Sequence, residues 1–409
     1  MRMPINYVTN IWRMKINQTP LSNTFMRFFD SEKSSGILIL AFTLISLAIA
    51  NSPFGKQYIH FWHFHILGLS IEHWVNDGLM AIFFLFIGLE LERELYSGEL
   101  SDFRKALLPI FAAAGGIVLP ALIHFGLNGN APTKSGMGIP MATDIAFALG
   151  VLALLGSRVP TSLKVFLTAL AVMDDLGAII VIALFYTAEL STIYLLAAIG
   201  VFTLLVLMNR RLRINALLPY LIGGAFMWFL MLKSGVHATI AGVLLAFAIP
   251  YSSKQEDEES PSHKLEHFLH KPVAFLILPI FTLANTGIII GSNWADELSS
   301  LNSLGIFAGL VIGKPLGITM LVFIAVLLGI SKLPSDLNWK HIFGAGLLGG
   351  IGFTMSIFIT NLAFTGDIEL INSSKIAILL ASLTAGTLGF LWLRVFGESA
   401  HSDTHGQTN

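Results

Sequence analysis

Long apolar runs that carry almost no charge recur along nearly the whole chain, and this pattern limits its fold more than any other feature. A helix that crosses a bilayer needs about 20 mostly apolar residues. Hydrophobic residues make up 55% of the sequence and charged residues only 12%, whereas a soluble domain is usually about a quarter charged. A chain so poor in charge cannot cover its own surface in water. The sequence therefore predicts an all-α, polytopic membrane protein.

The apolar runs predict about twelve transmembrane helices. The predicted spans are 36–52, 75–93, 106–127, 137–156, 160–186, 191–208, 214–232, 235–251, 272–290, 303–330, 341–362 and 373–396. We expect these spans to form a single membrane domain over residues 1–409. A cytoplasmic N-terminal segment at 1–33 would precede the spans, and a cytoplasmic tail at 397–409 would follow them.

The basic residues orient these spans, because loops rich in lysine and arginine stay in the cytoplasm. Of the 24 basic residues, only Lys56, Lys134, Lys233 and Lys375 fall on one side, and Lys314 lies inside a span. The other basic residues fall on the side of both chain ends, so we expect both termini in the cytoplasm. The net charge of −1 gives no sign of a nucleic-acid partner. The lack of cysteine excludes disulfides and thiolate metal sites, and no cofactor is predicted.

Residues 53–74, between the first two spans, alternate aromatic and apolar side chains. On the periplasmic side they fit one face of a β-hairpin or an interfacial aromatic belt, and the sequence leaves both alternatives open. The side chains that would form this face are Tyr58, His60, Trp62, Phe64 and Ile66. This segment is also the candidate contact for a homodimer.

Two adjacent carboxylates, Asp174 and Asp175, lie near the middle of the fifth predicted span. Ionisable groups at this depth are costly and usually mark an ion or proton path. Neighbouring residues on a helix point about 100° apart, so one carboxylate can face a cavity while the other faces an adjoining helix. Two like charges this close in a low dielectric resist joint ionisation, which suits a site that holds either a cation or protons.

The fourth predicted span is interrupted just before a third carboxylate, Asp144. Gly136, Gly138 and Pro140 precede it, and a proline removes a helical hydrogen bond and disfavours helix in the residue before it. Irregular backbone at membrane depth is tolerated only where it is buried in protein or lines a wet cavity. The released carbonyl groups and Thr143 are therefore candidate cation ligands or gating groups.

A second candidate break lies in the eleventh predicted span, where five glycines fall within residues 344–352. The two breaks occupy the middle spans of two triplets, helices 3–5 and 10–12, and an offset of seven spans makes these triplets run in opposite directions. This is the pattern of inverted repeats with paired broken helices. Crossing helices 4 and 11 would bring two positive N-terminal ends together, which Asp144 would neutralise. Lys314 would neutralise the C-terminal ends or pair with Asp174.

These residues resemble the NhaA family of bacterial sodium/proton antiporters over nearly the whole chain, and paired broken helices are a feature of that family. The most specific matches are Ala142-Thr143-Asp144-Ile145-Ala146-Phe147, Met173-Asp174-Asp175, Ile312-Gly313-Lys314-Pro315 and Gly350-Ile351-Gly352-Phe353-Thr354-Met355. The resemblance implies a multi-pass protein of the bacterial inner membrane that exchanges sodium or lithium ions for protons electrogenically, for pH and sodium homeostasis. It implies that Asp174 and Asp175 carry the cation and the protons, and that both aspartates bind sodium together with Thr143. Asp144 and Lys314 would support this site.

The resemblance also implies a set of pH-sensing residues near the helix ends. The matching positions are Asp77, Glu90, Arg93, Glu94, His237, Glu266, His267 and His270. Histidine titrates near neutrality, which suits such a role, but charged groups crowd any helix end and His237 fits a structural role equally well. Glu92 stands where some relatives have a basic residue, which makes the local charge at this helix end more negative.

Two other functions stay open from the sequence. A passive cation channel would need a continuous pore and no obligatory proton exchange. An intramembrane aspartyl protease would use Asp144 and Asp174 as a dyad. The Gly-x-Gly-Asp segment usual in such proteases is absent, and a protease leaves Lys314 unexplained.

Overall fold

A computed structural model describes residues 20–186, 190–252, 260–291 and 294–397. Most of the predicted N-terminal segment, up to residue 19, lies outside these ranges, as does the predicted tail from residue 398. The described chain is almost entirely helical, as the sequence predicts.

Fifteen helices follow one another along the described chain. They are α1 (Pro20–Ala50), α2 (Gly55–Trp62), α3 (Ile71–Ser97), α4 (Phe103–Asn128), α5 (Ile145–Leu154), α6 (Thr161–Phe185), α7 (Thr192–Arg210), α8 (Leu217–Ser234), α9 (Ile240–Ala248), α10 (Pro261–Asn285), α11 (Trp294–Leu298), α12 (Leu301–Leu327), α13 (Trp339–Gly349), α14 (Phe353–Ala363) and α15 (Ile368–Phe396). The 3₁₀ helices are Glu99–Ser101, Pro132–Met141 and Gly156–Arg158, and the strands are β1 (His65–Ile66) and β2 (Leu69–Ser70).

The number of membrane crossings is close to the prediction. In the described ranges, 8 helices are long and apolar enough to span a membrane, and three bent helix pairs raise this number to 11. The eighth predicted span, 235–251, is helical only in α9, whose 9 residues reach about 14 Å. That is less than half of the roughly 30 Å hydrocarbon core, so α9 forms only part of this predicted span, and the rest of the span is not helical.

The segment at 53–74 is mostly helical, and the prediction of one β-hairpin face for it is wrong. Tyr58, His60 and Trp62 lie on α2, and only Ile66 of the predicted face lies in a strand. Tyr58, Phe61 and Trp62 have i, i+3, i+4 spacing, so the same aromatic residues also fit a helix.

The position of α2 is set by packing against the membrane helices. Helix α2 turns by 117° from the end of α1. The Tyr58 hydroxyl lies 2.9 Å from the Ser46 Oγ and donates to the Leu283 carbonyl at 2.7 Å. These contacts are lost if the segment extends into a strand. A short antiparallel pair, β1 with β2, is all that remains of the predicted hairpin.

The two predicted broken helices are present and cross each other. The 3₁₀ helix Pro132–Met141 meets α5 at 43°, and α13 meets α14 at 48°. The first half of the fourth span is 3₁₀ and not α, and Pro140, which has no N–H to donate, lies next to its end. The Asp144 N–H donates to the Ile351 carbonyl at 2.7 Å, so the two breaks touch directly.

Helices α4 and α12 pack with their backbones in contact. A Cβ on Gly115 would lie 2.1 Å from the Gly317 carbonyl oxygen, and a Cβ on Gly317 would lie 2.1 Å from the Gly115 oxygen. Small residues allow this approach between membrane helices. Lys314 lies one turn before Gly317, so this contact sets the depth at which the lysine enters the protein.

We predict that Gly115→Ala lowers the melting temperature in detergent, because the new methyl group forces α4 and α12 apart. Overpacking of this kind costs about 1–3 kcal/mol. The control is Gly126→Ala on the same helix, where a Cβ meets nothing within 4 Å, so its melting temperature should match that of the unmodified protein. Equal melting temperatures for both variants contradict the close contact.

Candidate functional site

Asp144 connects the two helix breaks. It is the N-cap of α5, where its Oδ1 accepts a hydrogen bond from the Phe147 N–H at 3.0 Å. Its Oδ2 accepts from the Thr354 N–H at 3.0 Å and from the Thr354 hydroxyl, both in the first turn of α14. One carboxylate therefore faces two positive helix N-termini, which is the arrangement that the sequence suggested for Asp144.

Lys314 reaches the site from α12 and forms an ion pair with Asp174 on α6. Its ammonium group also donates to the Thr143 hydroxyl at 2.7 Å. The Thr143 oxygen lies 2.6 Å from Asp174 Oδ2 and 2.8 Å from the carbonyl oxygen of Gly349, the last residue of α13. Its single proton can go to only one of these two acceptors. Of the two partners that the sequence allowed for Lys314, the structure shows Asp174.

Three carboxylate oxygens of the central pair have no hydrogen-bond partner among the described residues. They are Asp174 Oδ1 and both Asp175 oxygens, and both side chains are fully buried. A buried ionised carboxylate without a partner is costly and must gain either a proton or a cation. The site therefore contains a charge-balanced half, Asp174 with Lys314, and a half at Asp175 that lacks a partner.

Gly116 on α4 has no side chain and so leaves space beside Asp174. A Cβ added to Gly116 would lie 3.5 Å from Asp174 Oδ1, the oxygen without a partner, and 3.2 Å from the Ile318 side chain. No sequence motif singled out Gly116, since its role depends on which helix faces α6. Carboxylate, hydroxyl and carbonyl oxygens are ligands that suit hard cations, and all three kinds meet here.

Four of the proposed pH-sensing residues form one ionic cluster at the end of α3. Arg93 lies 2.8 Å from Glu266 on α10, 3.1 Å from Glu94 and 3.7 Å from Glu90, measured between nitrogen and carboxylate oxygen. His270 packs against Phe86 with ring centroids 5.9 Å apart. It shares with Glu90 a cavity of about 20 Å³, which has room for about one water molecule.

The other proposed sensing residues do not join this cluster. Asp77 lies 13 residues before Glu90 on α3, or about 20 Å along the helix, and contacts His73 at 2.8 Å. His237 is bonded to the Tyr186 carbonyl at 2.7 Å, which fits the structural role that the sequence allowed. His267 is exposed. Glu92 accepts from the Ser262 hydroxyl at 3.0 Å, so this position is already paired across α3 and α10.

A chain of three amides joins α3, α10 and α14, and sequence reasoning missed it. Asn361 donates to the Asn285 side-chain oxygen at 2.6 Å, and Asn285 donates to that of Asn76 at 2.8 Å. We call this set the amide chain. Amides that lie 76 and 209 residues apart leave no local pattern in a sequence, so only the packing of the three helices reveals them.

An aromatic layer lies next to the amide chain, closer to the helix breaks. Phe358 of α14 packs against Phe84 of α3 and Phe281 of α10, with ring centroids 5.5 and 6.4 Å apart. All three rings are fully buried. Together, the rings and amides close the space between α3, α10 and α14 on one side of the central carboxylates.

Comparison with known proteins agrees with this architecture. The family model described as Na+/H+ antiporter 1 matches residues 26–393. The chain is 71% identical over 386 residues to the Na(+)/H(+) antiporter NhaA of Dechloromonas aromatica, covering 94% of this chain and 99% of that protein. It is 58% identical over 382 residues to the NhaA antiporter of Cytophaga hutchinsonii, covering 93% of this chain and 96% of that protein. The chain belongs to the Na+/H+ antiporter 1 family.

Proposed function

We propose that this protein is a secondary active transporter that exchanges sodium or lithium ions for protons across the bacterial inner membrane. The observation that carries this proposal is the pair of fully buried, adjacent carboxylates, of which Asp175 has no partner and Asp174 is held by Lys314. Such a site accepts either protons or a cation, and never needs both at once. The names of the close relatives support the same activity.

The charges at the site favour electrogenic exchange. With a proton on Asp175 and the Asp174–Lys314 ion pair intact, the three side chains carry no net charge. Sodium held by both carboxylates and Thr143 replaces two protons, the one on Asp175 and one of the Lys314 ammonium group, which is left as a neutral amine. Two protons then move for each cation, so each cycle transfers one net charge.

The finer features of the proposal follow the same arrangement. Both termini lie in the cytoplasm, and so does the Arg93 cluster, where protonation of its carboxylates would weaken the ionic contacts between α3 and α10. This cluster, with His270, is the proposed pH sensor. We also propose that two copies of the chain form a homodimer through residues 53–74, where α2 and the β1–β2 pair are exposed.

The two alternative functions lose support from the geometry. An aspartyl protease dyad needs two carboxylates that share a proton, but both Asp144 oxygens are occupied at the helix N-termini. A passive channel needs a continuous pore, whereas the aromatic layer and the amide chain close one side of the site.

Asp174→Asn and Asp175→Asn should each abolish exchange while the protein stays folded in the membrane, since each carboxylate is needed to alternate between proton and cation. The measurement is sodium-driven dissipation of a preset pH gradient in proteoliposomes. The control is Asp367→Asn, an exposed helix N-cap where asparagine caps equally well. Near-normal sodium-dependent proton movement in either carboxylate variant would falsify the carrier assignment.

Gly116→Ala should weaken apparent sodium affinity by several-fold, on the order of one kcal/mol in binding, because its methyl group takes space beside Asp174 Oδ1. Lithium, the smaller ion, should lose less affinity than sodium. The control is Gly126→Ala, ten residues further along α4, where an added Cβ meets nothing within 4 Å. This variant should bind both ions normally. Unchanged affinity for both ions in the Gly116 variant rules out a cation position beside this oxygen.

Apparent sodium affinity should fall as pH drops, because protons and sodium compete for the same two carboxylates. The pH dependence belongs to the coupled pair and not to either residue alone. A separate sensor at the Arg93 cluster and His270 would instead change the maximum rate. Rates measured across sodium concentration at each pH separate the two effects, and a sodium affinity independent of pH, with exchange still coupled to protons, defeats the shared-site model.

A further inference from the structure

A cavity of about 960 Å³ opens at the end of three packed membrane helices, and neither residue of the carboxylate pair lines it. It lies where α4 and α6 begin and where the chain after α12 continues through residues 329–334. We call it the interface cleft. Because three spanning helices begin or end there, the cleft lies at the level of the lipid headgroups.

The polar side of the interface cleft is positive. Arg104, Lys105 and Lys332 line it, and no acidic side chain of the described chain does. Arg104 and Lys332 are exposed and form no ion pair within the described residues. Basic residues at the membrane surface attract anionic lipids, so the charge of the cleft favours a phosphate group.

A helix N-terminus adds backbone donors to the same wall. Helix α6 begins at Thr161 after Pro160, and no side chain caps it. Thr161 and Ser162 line the cleft. The first N–H groups of a helix together with its dipole form an anion site.

A buried hydroxyl group points to a ligand independently of these charges. Ser331 lines the cleft and is only 5% exposed. Its Oγ has no hydrogen-bond partner among the described residues. Buried polar groups almost always have a partner, so a group that binds in the cleft would satisfy this oxygen.

The remaining walls are apolar and continue toward the membrane interior. Leu108 and Phe166 are buried and face the cleft, and Val165 and Pro334 are partly buried beside them. A free phosphate ion gains nothing from such walls, whereas the first part of an acyl chain buries apolar surface against them.

We infer that the interface cleft binds one anionic phospholipid. The phosphodiester group lies against Arg104, Lys332, the N-terminus of α6 and the Ser331 hydroxyl, and the acyl chains lie against Leu108 and Phe166. This site does not depend on the proposed exchange activity, because it is formed at the ends of α4, α6 and α12 and shares no residue with the carboxylate site.

The test compares lipid binding to the purified full-length protein by native mass spectrometry. The ligands are phosphatidylglycerol, phosphatidylcholine with the same acyl chains, and inorganic phosphate. The double variant Arg104→Gln/Lys332→Gln removes two charges from the cleft. The matched control, Lys134→Gln/Lys233→Gln, removes two exposed charges from the other membrane side.

Phosphatidylglycerol should bind the unmodified protein and the control equally, and the cleft variant on the order of tenfold more weakly. Ser331→Ala should weaken binding about threefold without any change in charge. Phosphatidylcholine should bind weakly to all of them. Equal phosphatidylglycerol binding by cleft variant and control overturns the site, and so does an unchanged affinity in Ser331→Ala.

Thermal unfolding provides the second measurement. Phosphatidylglycerol should raise the melting temperature of the unmodified protein and of the control, and raise that of the cleft variant less. Stabilisation by inorganic phosphate alone, lost in the cleft variant, would show a soluble-anion site and overturn the lipid assignment. A cleft variant that melts early without lipid but gains the full lipid-dependent increase also counts against the proposal.

Discussion

Backbone groups cannot be left without partners inside a bilayer, and the rest of this structure depends on how two broken helices meet that requirement. The Asp144 carboxylate accepts hydrogen bonds from the first turns of both α5 and α14, and its own N–H donates to the Ile351 carbonyl. The breaks are therefore held at one depth and in contact. Thr143, next to Asp144, is thereby fixed within reach of α6, α12 and α13 at once.

The fully buried ion pair between Asp174 and Lys314 differs from Asp144, because not all of its oxygens are hydrogen-bonded. Removing two charges from water costs several kcal/mol per ion, which their attraction repays only with good geometry and further hydrogen bonds. Thr143 supplies one such bond, but Asp174 Oδ1 and the whole Asp175 carboxyl group receive none. Asp144 is fully satisfied and stabilises the fold, whereas the adjacent aspartates are left incomplete, as a site that takes up and releases ions requires.

Much of this arrangement could be predicted from residues whose cost in a membrane is obvious. Asp144, Asp174 and Lys314 stand out because a charge at mid-span needs an explanation, and the glycines and Pro140 mark the breaks. Of the two alternatives for residues 53–74, the β-hairpin face is wrong, because the aromatic residues fit both a two-residue and a helical repeat, and only contacts to Ser46 and Leu283 decide between these repeats. Gly116, Asn285 and Ser331 carry no local signal, since their surroundings come from distant parts of the chain.

The amide chain has a consequence for how quickly α14 can separate from α3 and α10. Its two links are hydrogen bonds between uncharged groups, each contributing about 1 kcal/mol. Breaking both costs about 2 kcal/mol, so the amide chain contributes less to the cost of separation than exposing the three buried rings of the aromatic layer does. When the helices separate, water hydrates only the uncharged amide groups of the chain, whereas a broken salt bridge would expose two charges. Hydrogen bonds between uncharged side chains therefore align the three packed helices and add little to the barrier to their separation.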